Sequence, residues 1–365
     1  MRARGSWLAF GVLSLIACGD DDGSSMTAPD AASPQPPPPA VPPPPPAPGV
    51  LVHTFPAFEA AAGDEIFGPC QSWTLDNDED LFVTAVHMLN DGGWHHSNWF
   101  FVPDDVYSAD DGSNGDGTWG CEERGFDQAL AASMGGVLFA QSTQAEDEEQ
   151  RFPDGTAIRI PARSRIVGGI HVLNVSSADI STALTFEIET VARDEITIEL
   201  AALALSNRAL DLPPRTFSAF SMTCDLAAAH RRRTGRDLDY GIYYVLPHYH
   251  TLADGYRLEV VGGPRDGESV YGTGMDVGDP LGQSFATPFD LTGATGLRVT
   301  CTYFNPRDRR VGHGIGSQEM CDTLIYTDAN HQYLGVSSDN VVGDTVDGVV
   351  QNEAGCEVFS FDTPE

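Results

Sequence analysis

Five of the ten histidines lie in three short segments whose residue types could bind a metal ion. His95 and His96 are adjacent in the segment Gly-Gly-Trp-His-His-Ser-Asn-Trp. His171 lies in an apolar stretch, and a single tyrosine separates His248 from His250. Imidazole nitrogens are suitable ligands for zinc, copper, iron and nickel. Taken alone, each segment is better explained by ordinary histidines that bind no metal.

The spacing of the histidines limits how they could share an ion. Residues two apart in a strand point to the same face, so His248 and His250 could bind one ion together. His95 and His96 would point to opposite faces of a regular strand. Both could reach one ion only at a strand end or a distorted turn, which the preceding glycine pair permits.

Met320 is a sixth candidate ligand, in the segment Gln-Glu-Met-Cys. Most methionines fill gaps in hydrophobic cores. A thioether is also a soft ligand that selects Cu(I), so a methionine beside imidazoles would favour copper. Among the remaining histidines, His87 is expected to be structural. His313 lies close to Met320 in sequence, where it would either support a metal site or lie at the surface.

The segments that must position these residues have the pattern of β-strands. Residues 81–86 form a short apolar run, and apolar and polar residues alternate in residues 157–160 and 185–190, with many β-branched side chains. This period of two is typical of half-buried strands, and many short strands at close intervals predict β-sandwiches. Residues 225–236 alone predict a helix. We therefore predict an all-β protein.

The chain is long enough for two domains. A boundary is expected near the segment Asp-Leu-Pro-Pro at residues 211–214. It would divide the folded part into an N-terminal sandwich of residues 50–210 and a C-terminal sandwich of residues 211–365.

The N-terminal residues predict export. Two arginines precede an apolar run that ends at Ala17, as in signal peptides, and the run is too short to span a membrane stably. The segment Leu-Ile-Ala-Cys at its end resembles the lipobox of bacterial lipoproteins, so residues 1–18 predict a lipid-modified Cys18. The alternative is an ordinary signal peptide in which this cysteine is incidental. Proline runs predict that residues 19–49 form an extended spacer.

The predicted lipid would anchor the protein to a membrane. Because Gly19 rather than aspartate follows the lipobox cysteine, we expect the outer membrane, on either its periplasmic or its surface face. The net charge is −33, without a single lysine. Such a surface repels phosphate groups, which excludes nucleic acids as partners.

Six of the seven cysteines lie in the folded part. An even number in an exported chain predicts three disulfides, although the spacing does not choose among the pairings. The six are Cys70, Cys121, Cys224, Cys301, Cys321 and Cys356.

Taken together, the order His-His, His, His-x-His and Glu-Met-Cys resembles the copper type II, ascorbate-dependent monooxygenases. This family includes peptidylglycine α-hydroxylating monooxygenase and dopamine β-monooxygenase. The resemblance covers residues 50–361 and is diffuse in its N-terminal part. It is sharp in residues 248–256, which end in Gly-Tyr, in residues 301–309, and in residues 316–321, which end in Glu-Met-Cys.

The resemblance implies two tandem jelly-roll-like antiparallel β-sandwiches, each with one copper ion facing a solvent-filled cleft. O₂ would bind at the second copper, where the substrate C–H bond is broken, while the first copper stores an electron. Ascorbate or a similar reductant would supply the electrons. Carried over by motif, the first copper's ligands are His95, His96 and His171, and those of the second, catalytic copper are His248, His250 and Met320.

The resemblance also implies the disulfides Cys70–Cys121, Cys224–Cys356 and Cys301–Cys321. Asn98, Asn174 and Tyr249 are candidates to orient the imidazoles.

Three positions depart from the peptide-processing members of the family. Those members carry an arginine that binds the substrate carboxylate where this chain has Leu246. They also have asparagine and then tyrosine where this chain has Asp322 and Leu324. A neutral or apolar small substrate therefore fits better than a glycine-extended peptide. The competing hypotheses are a non-catalytic copper-binding surface lipoprotein and a structural sandwich whose histidines bind nothing.

Overall fold

The computed structural model describes residues 49–111, 113–274 and 277–364. The predicted signal peptide, Cys18 and the spacer up to residue 48 lie outside these residues. The described residues belong to one compact unit. We refer to residues 49–200 as the first half and to residues 201–364 as the second half.

Strands dominate both halves. Those of the first half are β1 (Gly49–Thr54), β2 (Phe58–Ala60), β3 (Glu65–Thr74), β4 (Leu81–Asn90), β5 (Trp94–Pro103), β6 (Gly117–Gly120), β7 (Gly136–Ala140), β8 (Asp147–Arg151), β9 (Thr156–Ile160), β10 (Ser164–Leu173), β11 (Ile180–Thr182), β12 (Leu184–Val191) and β13 (Ile198–Glu199). Those of the second half are β14 (Ala201–Ser206), β15 (Asp211–Leu212), β16 (Thr216–Cys224), β17 (Gly241–Tyr249), β18 (Ala253–Val261), β19 (Ser269–Thr273), β20 (Gln283–Asp290), β21 (Gly296–Asn305), β22 (Val311–Gly312), β23 (Cys321–Thr327), β24 (His331–Val346) and β25 (Val349–Asp362).

Helices are short and few among the described residues. The α-helices are α1 (Gln128–Met134) and α2 (Leu226–Thr234), and single 3-10 turns cover Cys121–Arg124, Arg193–Glu195 and Gly263–Arg265. Asp225 caps α2 by accepting a hydrogen bond from the Ala228 N–H, which ends the preceding strand and begins the helix. The predicted helix at residues 225–236 is therefore confirmed, whereas α1 was not predicted.

Two sheets pack face to face in the first half. One has the order β1-β12-β4-β9-β13, with β8 also paired to β4, and the other has the order β6-β3-β10-β5-β7. The rings of Phe186 in the first sheet and Trp99 in the second lie 5.0 Å apart. Alternating strand residues from both sheets thus form one buried core between the layers.

The second half contains a ten-stranded sheet of order β19-β18-β21-β16-β25-β24-β14-β23-β17-β20. Phe220 and Val299, from one end of this sheet, share a buried core with Val245 and Ile325, from the other end. The sheet therefore folds over on itself as a second sandwich. The prediction of an all-β sandwich protein is confirmed, but the sheets are not wholly antiparallel, because β9–β13, β14–β24 and β16–β25 are parallel pairs.

Strand β17 lies between the two cores, which explains why all of it is buried. Val245 and Tyr249 point into the core of the second half. Tyr244 and Leu246 alternate with them and pack on the core of the first half. By the same alternation, His248 and His250 both face the first half.

Strand β14 precedes the boundary expected at residues 211–214, yet it pairs with β23 and β24 of the ten-stranded sheet. The division of the chain at that boundary stays a prediction.

The structure contains the three disulfides implied by the resemblance, Cys70–Cys121, Cys224–Cys356 and Cys301–Cys321. Disulfides persist in oxidising compartments, so they indicate an exported protein. Among the described residues, no helix has the length and apolarity needed to cross a membrane.

Replacing Cys301 and Cys321 together by alanine should lower the free energy of unfolding. The bridge closes a loop of 20 residues, and loop-closure entropy gives a loss of about 3 kcal/mol for its removal. Urea denaturation of the oxidised protein and of the double variant measures the difference. An unchanged unfolding midpoint would mean that the loop before β23 is held without the bridge.

Candidate metal centre

All five histidines singled out by the sequence lie in one buried cluster between the two halves. The ring centroids of His95 and His171 are 4.6 Å apart, and those of His96 and His171 are 5.2 Å apart. His248 and His250 are separated by 5.2 Å. The structure thus brings together the residues of all three sequence segments.

A β-bulge places both adjacent histidines on this cluster. His171 of β10 pairs with His96 of β5, but the next residue, Val172, pairs with Trp94. His95 is therefore an additional residue in its strand. A bulge can turn a side chain to the face opposite the one it would have in a regular strand. His95 and His96 can therefore both face the cluster although they are adjacent.

The glycine pair before the bulge allows the chain to turn sharply into β5. Gly92 and Gly93 have φ angles of 91° and 78°, a region that glycine enters without steric cost. A Cβ atom on Gly93 would lie 2.5 Å from Cδ1 of Ile180. The turn therefore requires glycine at this position for both its conformation and its packing.

The two groups of histidines are in direct contact with each other. The ring centroids of His95 and His250 are 4.8 Å apart, and those of His96 and His248 are 5.0 Å apart. This arrangement differs from the two centres facing each other across a solvent-filled cleft that the resemblance implied. Beside the cluster, the loop at residues 141–144 of the first half hydrogen-bonds to the second half.

Each of the five rings has one buried nitrogen with no hydrogen-bond partner in the described part of the chain. These atoms are Nε2 of His95, His96, His248 and His250 and Nδ1 of His171. Buried polar atoms are normally paired, so five unpaired nitrogens in one cluster require an explanation. A neutral imidazole binds a metal ion through the nitrogen that carries no proton, and the unpaired nitrogens of His96, His171, His248 and His250 fit copper in that respect.

Backbone carbonyl groups fix the orientation of the histidines in the second half. Nδ1 of His248 lies 2.9 Å from the Ser142 oxygen and 3.2 Å from the Gln141 oxygen. Nδ1 of His250 lies 2.8 Å from the Gln318 oxygen. A carbonyl oxygen only accepts hydrogen bonds, so Nδ1 carries the proton and donates it in both rings, which leaves the Nε2 lone pair free.

Side chains orient two rings of the first half. Nε2 of His171 donates to Oε1 of Glu65 at 2.9 Å. The side-chain nitrogen of Gln144 donates to Nδ1 of His95 at 2.8 Å, so neutral His95 carries its proton on Nε2. Neither partner could be identified from the sequence, since each comes from a distant segment.

Two candidates proposed for this role, Asn98 and Asn174, have other hydrogen bonds. Asn98 bonds to the Gln128 side chain, and Asn174 bonds to backbone carbonyls near residue 60. The Tyr249 hydroxyl donates to the Gly274 oxygen.

The backbone of Met320 lies beside His250. Tyr249 pairs with Cys321 across β17 and β23, so one further step of this register puts the methionine opposite His250. The buried carboxylate of Glu319 accepts a hydrogen bond of 3.1 Å from the His250 N–H. The Tyr303 hydroxyl donates to the Met320 carbonyl at 2.6 Å. The role of the sulfur atom as a ligand stays a prediction.

Burial keeps the imidazoles uncharged. Desolvation lowers the pKa of His95 to about 3 and the pKa of His248 and His250 to about 4, and repulsion from neighbouring histidines adds to the effect. Desolvation also lowers the pKa of His96 and, in spite of Glu65, that of His171. The cluster is therefore neutral at pH 7 and free of protons that would compete with a metal ion.

A pocket of about 170 Å³ opens beside His248, between the two halves. Apolar side chains make up much of its lining, including Phe100, Leu246, Leu324 and Leu334. Two of these are the positions at which the chain departs from the peptide-processing enzymes that it resembles. The pocket is a site at which an apolar molecule could approach the histidine cluster.

No protein-family model and no curated protein matches the chain. Solved structures that resemble it include the major capsid protein P2 of bacteriophage PM2, with a TM-score of 0.30 and 8% identity over 76% of this chain and 97% of that chain. Another is PBCV-1 VP54 fitted into the virophage Sputnik, with a TM-score of 0.23 and 6% identity over 77% of this chain and 94% of that chain. Likenesses with TM-scores this low carry no argument about this chain.

Replacing His248 by glutamine should weaken the acid sensitivity of the metal-free protein. The pKa of His248 falls from 6.5 in the unfolded chain to about 4 in the folded protein. The unfolded state therefore binds more protons between these values, and the free energy of unfolding falls as the pH is lowered from 7 to 5. Between pH 7 and pH 5, the free energy of unfolding of the variant should fall by about 2 kcal/mol less than that of the wild type, as measured by urea denaturation.

The buried Glu148 and Glu319 act in the opposite direction, because burial raises the pKa of each to about 7. Their effect is common to both proteins and cancels in the comparison. His87→Gln is the matched control. Burial lowers the pKa of His87, but Asp147 and Glu187 raise it by more. The free energy of unfolding of this variant should therefore fall between pH 7 and pH 5 by at least as much as that of the wild type. Equal losses in wild type and His248→Gln would contradict the buried, neutral state of His248.

Proposed function

We propose that this protein is a copper-dependent monooxygenase that hydroxylates a C–H bond of a small, mainly apolar molecule, using O₂ and a reductant such as ascorbate. The observation that carries this proposal is the cluster of five buried imidazoles, each with one unpaired ring nitrogen. The order of the sequence motifs supplies the reaction type, and the cluster supplies a place for it.

The donor set suits copper. Imidazole binds copper in both of its common oxidation states, and a thioether in place of one imidazole favours Cu(I). His95, His96 and His171 would hold one ion, and His248, His250 and Met320 would hold the other. Copper, when bound, supplies the one-electron chemistry with O₂ that no amino-acid side chain in this cluster can provide.

The protein's own groups orient the ligands and exclude water. Carbonyl groups of Ser142 and Gln318 hold two rings with Nε2 turned inward. Glu65 holds His171 with Nδ1 free. The cluster is buried, so reactive species formed there would be shielded from bulk water.

The pocket beside His248 favours a substrate without a carboxylate. Leu246 and Leu324 present apolar surface where a charge partner would be needed. Arg208 and Asp322 also line the pocket, so the formal charges of its lining include one of each sign. A neutral molecule loses little hydration on entering such a site, whereas an unpaired carboxylate would pay a large desolvation cost.

An N-terminal lipid on Cys18 would hold the enzyme at a membrane, in our proposal the outer membrane. Proline-rich residues 19–49 would act as a spacer, since polyproline segments extend by about 3 Å per residue. The cluster would then be presented to small molecules of the periplasm or of the exterior.

A non-catalytic copper-binding lipoprotein is the second candidate function. It is favoured by one observation, that ring nitrogens of His96, His248 and His250 lie within 4.8 Å of one another and could hold a single ion. A carrier needs only one such site. An oxygenase needs turnover with O₂, so activity separates the two functions.

Replacing Met320 by isoleucine should abolish turnover while most of the copper stays bound. The change removes the soft donor but keeps the side-chain volume. We expect two copper ions per chain in the wild type, and at least about a 100-fold loss of ascorbate-dependent O₂ consumption in the variant. Met134→Ile, at the end of α1, is the matched control and should be active. Unchanged O₂ consumption in Met320→Ile would remove this residue from the oxygen site.

Neutral substrates should be hydroxylated in preference to carboxylates of the same size. The test is a screen of paired small molecules, such as amides and the corresponding acids, with copper, ascorbate and O₂. Products are identified by the gain of one oxygen atom in mass spectrometry. Preference for the acids would contradict the assignment of the apolar pocket as the substrate site.

A further inference from the structure

We infer that the first metal ion to bind this structure is held by His96, His248 and His250, a site to which both halves contribute. This combination mixes one ligand from the first proposed copper centre with two from the second. The inference concerns the same cluster as the proposed function, but it does not depend on oxygenase activity.

The geometry selects these three residues. One ring nitrogen of each lies within 4.8 Å of the others. Donor nitrogens on a tetrahedral ion are about 3.3 Å apart when each bond is about 2.0 Å long. Closing the difference takes side-chain shifts of about 1 Å, well within the reach of imidazole rotation.

Existing contacts leave the three inward nitrogens ready for an ion. Nε2 of His96, His248 and His250 is in each case buried and without a partner. For the latter two rings, Nδ1 is already held by the carbonyls of Ser142 and Gln318. An ion that binds here therefore breaks none of the hydrogen bonds that orient these rings.

The other two histidines lie outside this set. His171 directs Nε2 to Glu65, 2.9 Å away, and the side-chain amide of Gln144 contacts His95. Neither belongs to the group of ring nitrogens within 4.8 Å of one another.

An ion in this site would link the halves. His96 belongs to β5 of the first half, whereas His248 lies on β17 of the second half. The loop beside the cluster makes further contacts between the halves, since the N–H groups of Leu281 and Gly278 donate to the hydroxyls of Ser142 and Thr143. A ligand that binds only this closed arrangement stabilises it in proportion to its affinity.

Calorimetric titration of the metal-free folded protein with Zn²⁺ tests the assignment. Zinc has the same preference for imidazole and no redox chemistry, so binding is separated from turnover. The first equivalent should bind about 100-fold more weakly to His96→Gln and to His248→Gln alike. His171→Gln, Met320→Ile and the surface control His87→Gln should bind it within about 3-fold of wild type.

The alternatives give different patterns. Loss of the first ion in His171→Gln but not in His248→Gln would place it on the first-half histidines and overturn the inference. Loss in Met320→Ile but not in His96→Gln would place it on the second-half set and overturn it equally.

X-ray absorption of the wild type with one equivalent of zinc gives a measurement that does not rely on variants. A shell of imidazole nitrogens without sulfur supports the mixed site, and a sulfur scatterer contradicts it. A protein that holds zinc in this way but shows no O₂-dependent turnover would refute the proposed oxygenase and leave this site intact.

Discussion

The burial of five uncharged imidazoles at one junction is the constraint on which the rest of the structure depends. Each ring leaves a nitrogen unpaired inside the protein, and a buried polar atom without a partner costs about 1–3 kcal/mol. Protonation cannot relieve this cost, because desolvation and mutual repulsion disfavour positive charge on neighbouring rings. A metal ion relieves it at all of its ligands at once, and the net charge of −33 favours the approach of a cation.

One loop of the first half, residues 141–144, hydrogen-bonds to histidines of both groups. Gln144 contacts His95, while the Ser142 carbonyl accepts the Nδ1 proton of His248. The buried carboxyl of Glu148 stabilises this loop by accepting a hydrogen bond of 3.0 Å from the Ser142 N–H. Displacement of this loop would therefore disturb ligands of both halves together, so the two groups do not form independent sites in this arrangement.

The sequence predicted the strands and the five histidines because both depend on local patterns. Alternation along β12 is visible without a structure, and the His-x-His spacing fixes a shared face for any strand. The contact between the two histidine groups was not predictable in this way. It depends on the bulge at His95, where one additional residue changes the face of a side chain, and on Glu65, which reaches His171 from 106 positions away.

No disulfide among the described residues joins the two halves. Cys70–Cys121 lies within the first half, and Cys224–Cys356 and Cys301–Cys321 lie within the second. Among the described residues, then, the covalent link between the halves is the chain itself. Hydrogen bonds and apolar packing join the two sandwiches, and the histidines of both groups lie at that junction. Because His96, His248 and His250 belong both to the proposed pair of copper centres and to the inferred shared site, the two arrangements cannot be occupied at the same time.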